Sequence, residues 1–375
     1  MAKLLFVGDV VMTSGENVSA SPAVRDFFHE HDIRCCNFEG AVIGKGVNIA
    51  DKIGPSIKQS ENAVKNIIDV GFNCFCLANN HIFDYGVKGL AETEEALSRQ
   101  NTVGASIRKE NVYKPLIINV SGTVIGIINA AENGFGCEHE RDDGIGYAWI
   151  HSENIRANIE QLKHECDVVI VVSHAGLEKV NYPLPEWRNS YRKLIDYGAD
   201  MVIGHHPHVV QGWEEYNGKP IFYSLGNFIW QKSHIYPAET IAVSVETCTD
   251  GTIKYVVKYM QFKNNVIEFC DNETFRCQVE MFCNTLKDSD TYFDAINQAC
   301  LKVFENSYIQ YYLNSLSIGN CSSLIGRIKQ GFKLIIKGVN VNNLFLLHNI
   351  MIETHIWTCK RALYLRERRG KKYES

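Results

Sequence analysis

Hydrophobic and polar positions along the first 230 residues change period again and again. Short β-branched runs predict strands at Lys3–Val7, Asn73–Leu77, Leu116–Asn119, Thr123–Asn129, Asp167–Ser173, Met201–Ile203 and Ile221–Ser224. Between them, apolar residues three or four apart predict amphipathic helices at Ser60–Val70, Gly86–Gln100, Ser152–Glu165 and Pro185–Tyr197. Alternation at this spacing reads as an α/β fold. Residues 240–270 read as strands with little helix, opening with Thr240–Val245 and carrying a hairpin signal at Asp250-Gly251. From about residue 275 helical spacing takes over, at Asp290–Leu313, Ser322–Lys337 and Asn343–Arg369. The pattern therefore predicts two domains, residues 1–272 and a helical C-terminal region of residues 273–375.

Composition adds little to that division, and charge adds more. With 45% hydrophobic and 22% charged residues, the chain is globular rather than disordered. Apolar runs such as Val168–Val172 have strand length and fall short of a membrane span. The N-terminus enters a strand at once, and polar Gly8-Asp9 interrupts any signal-like stretch, so a cytoplasmic location is expected. The 13 cysteines are an odd number with no Cys-x-x-Cys pair, and are read as reduced thiols. Residues 276–375 hold 14 Lys/Arg against 8 Asp/Glu, a balance of +6, which leaves −11 on the first 275 residues of a chain whose net charge is −5. No basic stripe with interleaved aromatics appears in the first domain, so nucleic acid is not expected as a partner.

The sharpest chemical signal is Gly204-His205-His206-Pro207-His208, directly after the strand-like Ala199–Ile203. His206 and His208 are two residues apart, so extended backbone would point both imidazoles the same way, a geometry suited to metal ions. Other strand ends offer matching donors. Asp9 closes the first strand, where α/β sheets place their ligands, although taken alone it reads more readily as a turn aspartate. Glu39 follows apolar Ile33–Cys36 and could bridge two cations or simply border a turn glycine. In Asn79-Asn80-His81-x-x-Asp84, an amide oxygen could ligate a metal and His81 could do acid or transition-state work. Asp84 either orients His81 or caps the helix near Gly86. His174 lies just past Val168–Ser173, and Asn227 tips the turn Ser224-Leu-Gly-Asn-Phe228. Together Asp9, Glu39, Asn80, His174, His206 and His208 supply oxygen and imidazole donors with no thiolate, which suits two divalent cations such as Mn, Fe, Zn or Mg. The residues themselves point to a two-metal hydrolase.

These blocks resemble the CapA (capsule and poly-γ-glutamate biosynthesis) family. The likeness runs through Gly8-Asp9, Asn37-Phe-Glu39-Gly40, Leu77–Gly86, Asp196–Asp200, Gly204–Gln211 and Ser224–Phe228, and covers about residues 1–245. It implies a calcineurin-like metallophosphatase sandwich of two β-sheets flanked by helices. It further implies that Glu39 takes the bridging place usually held by Asp, that Asp9, Asn80, His174, His206 and His208 complete the metal shell, and that His81 is the acid or stabiliser. Two departures stand out. Val11 occupies a position where the superfamily has His, leaving His205 as a reserve donor, and Ala175 stands where the family commonly has Trp.

The resemblance implies a metal-dependent phosphoesterase acting on a phosphorylated or polymeric capsule-related substrate. Two alternatives stay open: a non-catalytic assembly factor for a polymer synthase, and a metal-dependent γ-glutamyl amide hydrolase. The basic C-terminal end after apolar Leu344–Thr358 reads either as a packed helix with a solvated tip or as a peripheral contact with a membrane or synthase.

Overall fold

The computed structural model describes residues 1–44, 46–231, 236–247, 252–316 and 341–367. Packing divides the chain into two units: residues 1–50 with 56–292, and residues 51–55 with 293–375. The division thus falls after Tyr292 and not after residue 272. The helix Glu273–Lys287 is the reason, because Phe275 and Val279 on its inner face pack into the core between the sheets of the first unit.

The first unit is built on two sheets. Across the larger one lie, in order, Val266–Phe269, Ile253–Lys263, Glu239–Thr247, Lys3–Val11, Ile33–Phe38, Cys74–Cys76 and Asn101–Val103. Across the other lie Trp213–Tyr216, Lys219–Phe222, Met201–His205, Val168–His174, Thr123–Ala131 and Leu116–Val120. Alternation along the first strand shows how they stack. Leu4 and Phe6 join a core shared with Ile125, Ile127, Val168, Ile170 and Ile203 of the second sheet, while Leu5 and Val7 face Val24, Phe28 and Ile67 on the opposite side. Helices Pro22–His29 and Ala63–Val70 cover that opposite side, and Glu153–Glu165 and Pro185–Tyr197 flank the second sheet. Two packed sheets flanked by helices is the architecture expected from the resemblance.

Every predicted strand of the first 230 residues is present, most of them longer than the apolar run suggested. Two of the elements not predicted frame the first strand. Ile33–Phe38 pairs with Lys3–Val11, and Pro22–His29 forms a helix begun by its proline. Glu239–Thr247 and Ile253–Lys263 pair antiparallel, and the Asp250-Gly251 turn expected between them lies outside the described residues.

Strand Lys3–Val11 breaks register on both sides at Gly8-Asp9. A Cβ at Gly8 would overlap the carbonyl oxygen of Gly226, and Asp9 N–H donates to that oxygen at 3.0 Å. The missing side chain therefore lets the Ser224–Asn227 turn lie directly on the strand. Gly204 does the same for Tyr223 in the second sheet.

The segment expected as one helix at Asp290–Leu313 runs as Ser289–Val303, a π-helical turn Phe304–Tyr308, and Ile309–Ser315. Asn343–Arg369 is interrupted at Ile352, whose extended backbone separates Asn343–Met351 from Glu353–Glu367. The expected helix Ser322–Lys337 lies outside the described residues. Among the described residues no helix is long and apolar enough to cross a membrane. The 11 described cysteines form no disulfide, burial pushes the Cys36 and Cys76 thiols up, and hydrogen bonding among the thiols together with burial raises Cys35 and Cys74.

Gly8→Ala is expected to lower stability by at least about 2 kcal/mol, because neither backbone segment can withdraw without breaking ladder bonds. Urea unfolding of both proteins measures it.

Candidate metal centre

The parallel strands of both sheets deliver their C-terminal ends to one place. Asp9 is fully buried there, paired across the ladder with Asn37 on one side and Asn227 on the other. Asn37 Nδ2 donates to Asp9 Oδ1 at 2.8 Å and lies 3.0 Å from His174 Nδ1. Glu39, also fully buried, is fixed through its backbone: its N–H donates to Val10 O, and its carbonyl accepts from Gln59 Nε2. Its carboxyl oxygen lies 3.8 Å from His208 Nε2 and 3.9 Å from His81 Nε2. Asp9, Glu39 and His174 each offer a donor atom within 4.8 Å of the others, a buried group able to hold a metal ion.

Around this core the other expected residues converge. Asn80 Oδ1 is 2.9 Å from His174 Nε2, and His206 Nδ1 is 3.0 Å from the same nitrogen. His208 Nδ1 lies 3.4 Å from Asp9 Oδ2 and 3.0 Å from Asn227 Oδ1. His205 Nδ1 lies 3.2 Å from Asp9 Oδ1, so the reserve imidazole stands against Asp9 from the second sheet. All six expected ligands and His205 thus share one buried cluster.

One expectation about how they do so fails. The strand Met201–His205 ends before His206, and both His206 (φ +94°) and His208 (φ +59°) sit in the left-handed region. Their convergence comes from a tight turn around Pro207 and not from extended alternation. Such backbone costs on the order of 1–3 kcal/mol per residue and persists where surrounding structure enforces it.

The ambiguity at Asp84 is also resolved. Helix Gly86–Ala96 has no side-chain cap, whereas Asp84 Oδ2 lies 2.6 Å from His81 Nδ1 and accepts from Ile57 N–H at 2.7 Å. Asp84 therefore fixes the tautomer of His81 and turns Nε2 toward Glu39.

Glu132 escaped the sequence pattern because Thr123–Ala131 runs two residues beyond the predicted strand end. Its N–H donates to His174 O, and Oε1 lies 3.4 Å from His206 Nε2. The signal that marked Asp9, a carboxylate at a buried strand's C-terminal end, was present here as well. Val11, where a His was anticipated, is buried and paired with Trp230. Ala175 is buried and donates its N–H to His205 O.

Burial pushes the Asp9 carboxyl up, but hydrogen bonding from His205 and His208 holds it well below the usual range. Burial and neighbouring His206 keep His174 neutral, and burial brings His206 down to about 4. His208 is the exception. Burial would lower it, yet Glu39 and Asp9 together raise it to about 9. Two fully buried carboxylates among imidazoles and amide oxygens form a donor set that fits divalent cations.

With this geometry in place, comparison with known proteins becomes informative. Residues 3–232 match the family described as bacterial capsule synthesis protein PGA_cap. The chain belongs to that family. The PGA biosynthesis protein CapA of Bacillus subtilis is 32% identical over 267 residues, covering 67% of this chain and 69% of that protein. The capsule biosynthesis protein CapA of Bacillus anthracis is 29% identical over 266 residues, covering 66% and 64%. A putative 5'-nucleotidase from Staphylococcus aureus superposes with a TM-score of 0.46 at 14% identity, covering 75% of this PGA_cap chain and 58% of its own. That likeness is too loose to carry chemistry.

The purified protein is expected to contain divalent metal, and Asp9→Ala or Glu39→Ala to lose it. Elemental analysis of the three proteins measures this. Chelation is expected to lower the melting temperature of the wild type alone.

Proposed function

We propose that this protein is a metal-dependent hydrolase of phosphate esters serving capsule or poly-γ-glutamate synthesis. The observation that carries the reading is the buried group Asp9, Glu39 and His174 with His81 turned toward it by Asp84. Asp9, Glu39, Asn80, His174, His206 and His208 would hold two divalent cations. Bound there, such ions activate water at neutral pH and neutralise charge gathering on phosphorus. His81, carrying its proton relay partner Asp84 behind it, is placed to protonate or stabilise a leaving oxygen. Asn37 and Asn227 keep Asp9 and His208 in orientation through their amides.

A second reading is an assembly role without turnover. Val11 in the place of a ligand favours it. So does the helical unit, where Leu344, Leu347 and Ile350 recur along one exposed face and Lys360 and Arg366 are exposed nearby in sequence, a combination suited to an anionic membrane surface. Hydrolysis of γ-glutamyl amides by the same site is the remaining alternative, since activated water also attacks acyl carbon.

Turnover of p-nitrophenyl phosphate stimulated by Mn²⁺, reduced roughly 10²–10³-fold in His81→Ala, is the expected result. Activity on a γ-glutamyl peptide with none on phosphate esters would select the amide hydrolase. No turnover, together with capsule production undiminished by His81→Ala in cells, would select the assembly role.

A further inference from the structure

Beside the cluster stands a wall that the proposed chemistry does not use. The His208 ring lies 4.6 Å from Trp230 and 4.9 Å from Tyr236, and these two meet edge-on at 5.1 Å. Trp230 ends the strand Asn227–Trp230, which pairs with Lys3–Val11, and stands directly opposite Val11. Its indole Nε1–H is buried and donates to nothing among the described residues. A buried donor without an acceptor is costly, and a ligand oxygen is one way to satisfy it.

Lys179 completes the wall. Its ammonium lies 5.2 Å from the centre of the Tyr236 ring. The side chain is exposed and makes no ion pair among the described residues. Its placement is not left to chance. Lys179 has φ +61°, a left-handed position where glycine would be less strained. Its N–H donates to Pro207 O at 2.9 Å, in the middle of the histidine turn. Gln211 Nε2 donates to Val180 O at 2.8 Å, and Asn181 Nδ2 donates to Val210 O at 3.0 Å. Three hydrogen bonds thus staple the Lys179 segment to the segment that carries His206 and His208.

Charge decides what such a wall binds. The candidate centre is lined by Asp9, Glu39 and Glu132, and Glu178 is exposed at its rim beside Lys179. Lys179 is then the cation that this rim offers to a substrate. We propose that Lys179, Tyr236 and Trp230 form a subsite for a second anionic oxygen group of the substrate, separate from the group that reacts. The ammonium takes the charge, the rings cover the carbon segment that links the two groups, and the indole N–H donates to a ligand oxygen. The substrate class is a molecule with two anionic groups joined by a short linker. A carboxylate and a phosphate share this chemistry. The inference rests on the reading of the neighbouring cluster as the reacting centre, but binding at the wall needs no turnover.

Calorimetric titration of the full chain, with and without Mn²⁺, tests it with two probes: tri-γ-glutamate for carboxylate and inorganic phosphate for phosphate. The expected result is that Lys179→Gln weakens binding of at least one probe tenfold or more, while Lys179→Arg stays within about threefold. Trp230→Phe is expected to weaken the same probe, and the uncharged triamide analogue not to bind. Melting temperature identifies any variant that fails to fold. The probe that responds to Lys179 identifies which anion the subsite takes. Unchanged affinity in folded Lys179→Gln, or no binding of either probe by the wild type at millimolar concentration, overturns the proposal. Binding that depends on Lys179 in a protein without Mn²⁺-stimulated turnover would instead sink the hydrolase reading and leave the subsite standing.

Discussion

Two carboxylates, Asp9 and Glu39, are held with no exposure to water, and the centre is organised around that fact. Ionised acids in a protein interior are tolerated only with positive or hydrogen-bonded company. Here the company is imidazole and amide: His205, His208 and Asn37 against Asp9, His81 and His208 toward Glu39. Imidazole is a modest counter-charge, and of the three ring systems whose shifts are clear, only His208 is pushed toward its cationic form. A divalent ion balances the same charge more completely. Gln59, Asn79 and Asn129 then extend the buried polar shell to the backbone, so the demand for charge balance spreads well beyond the donors themselves.

The division of labour between the sheets follows from parallel topology. Lys3–Val11 and Ile33–Phe38 bring oxygen donors from one sheet, and Val168–His174 and Met201–His205 bring imidazoles from the other. Neither sheet holds a full set. The geometry of the centre and the packing of one sheet on the other are therefore coupled through the shared core that holds Leu4, Phe6, Ile170 and Ile203.

Much of this was legible in the sequence because strand ends announce themselves. Asp9, Asn80 and His174 each follow a β-branched or apolar run, and period alone located them. Ile33–Phe38 was less visible as a strand because Arg34 and Asn37 interrupt its apolar run, and their roles appear only in three dimensions. Arg34 hydrogen-bonds backbone carbonyls near the helix end, and Asn37 serves the centre. Glu132 was hidden by a strand that extends through small alanines, residues with no β signal of their own. The left-handed turn at His206 and His208 could not be inferred from spacing, since tertiary contacts and not local propensity enforce it. Nor does any local pattern show that residues 51–55 pack with the helical unit, or that Glu273–Lys287 does not. Both depend on contacts far apart in the chain.

The close approach of Gly8 to Gly226 has a mechanical meaning. With no side chain between them, the backbone bearing Asp9 and the backbone bearing Asn227 share hydrogen bonds over adjacent residues, and Asn227 in turn grips His208. Carboxylate, amide and imidazole are mounted on one inflexible chassis. Donor spacing there is set by the backbone ladder and not by loop conformation, so a change in any loop leaves the distance between Asp9 and His208 in place.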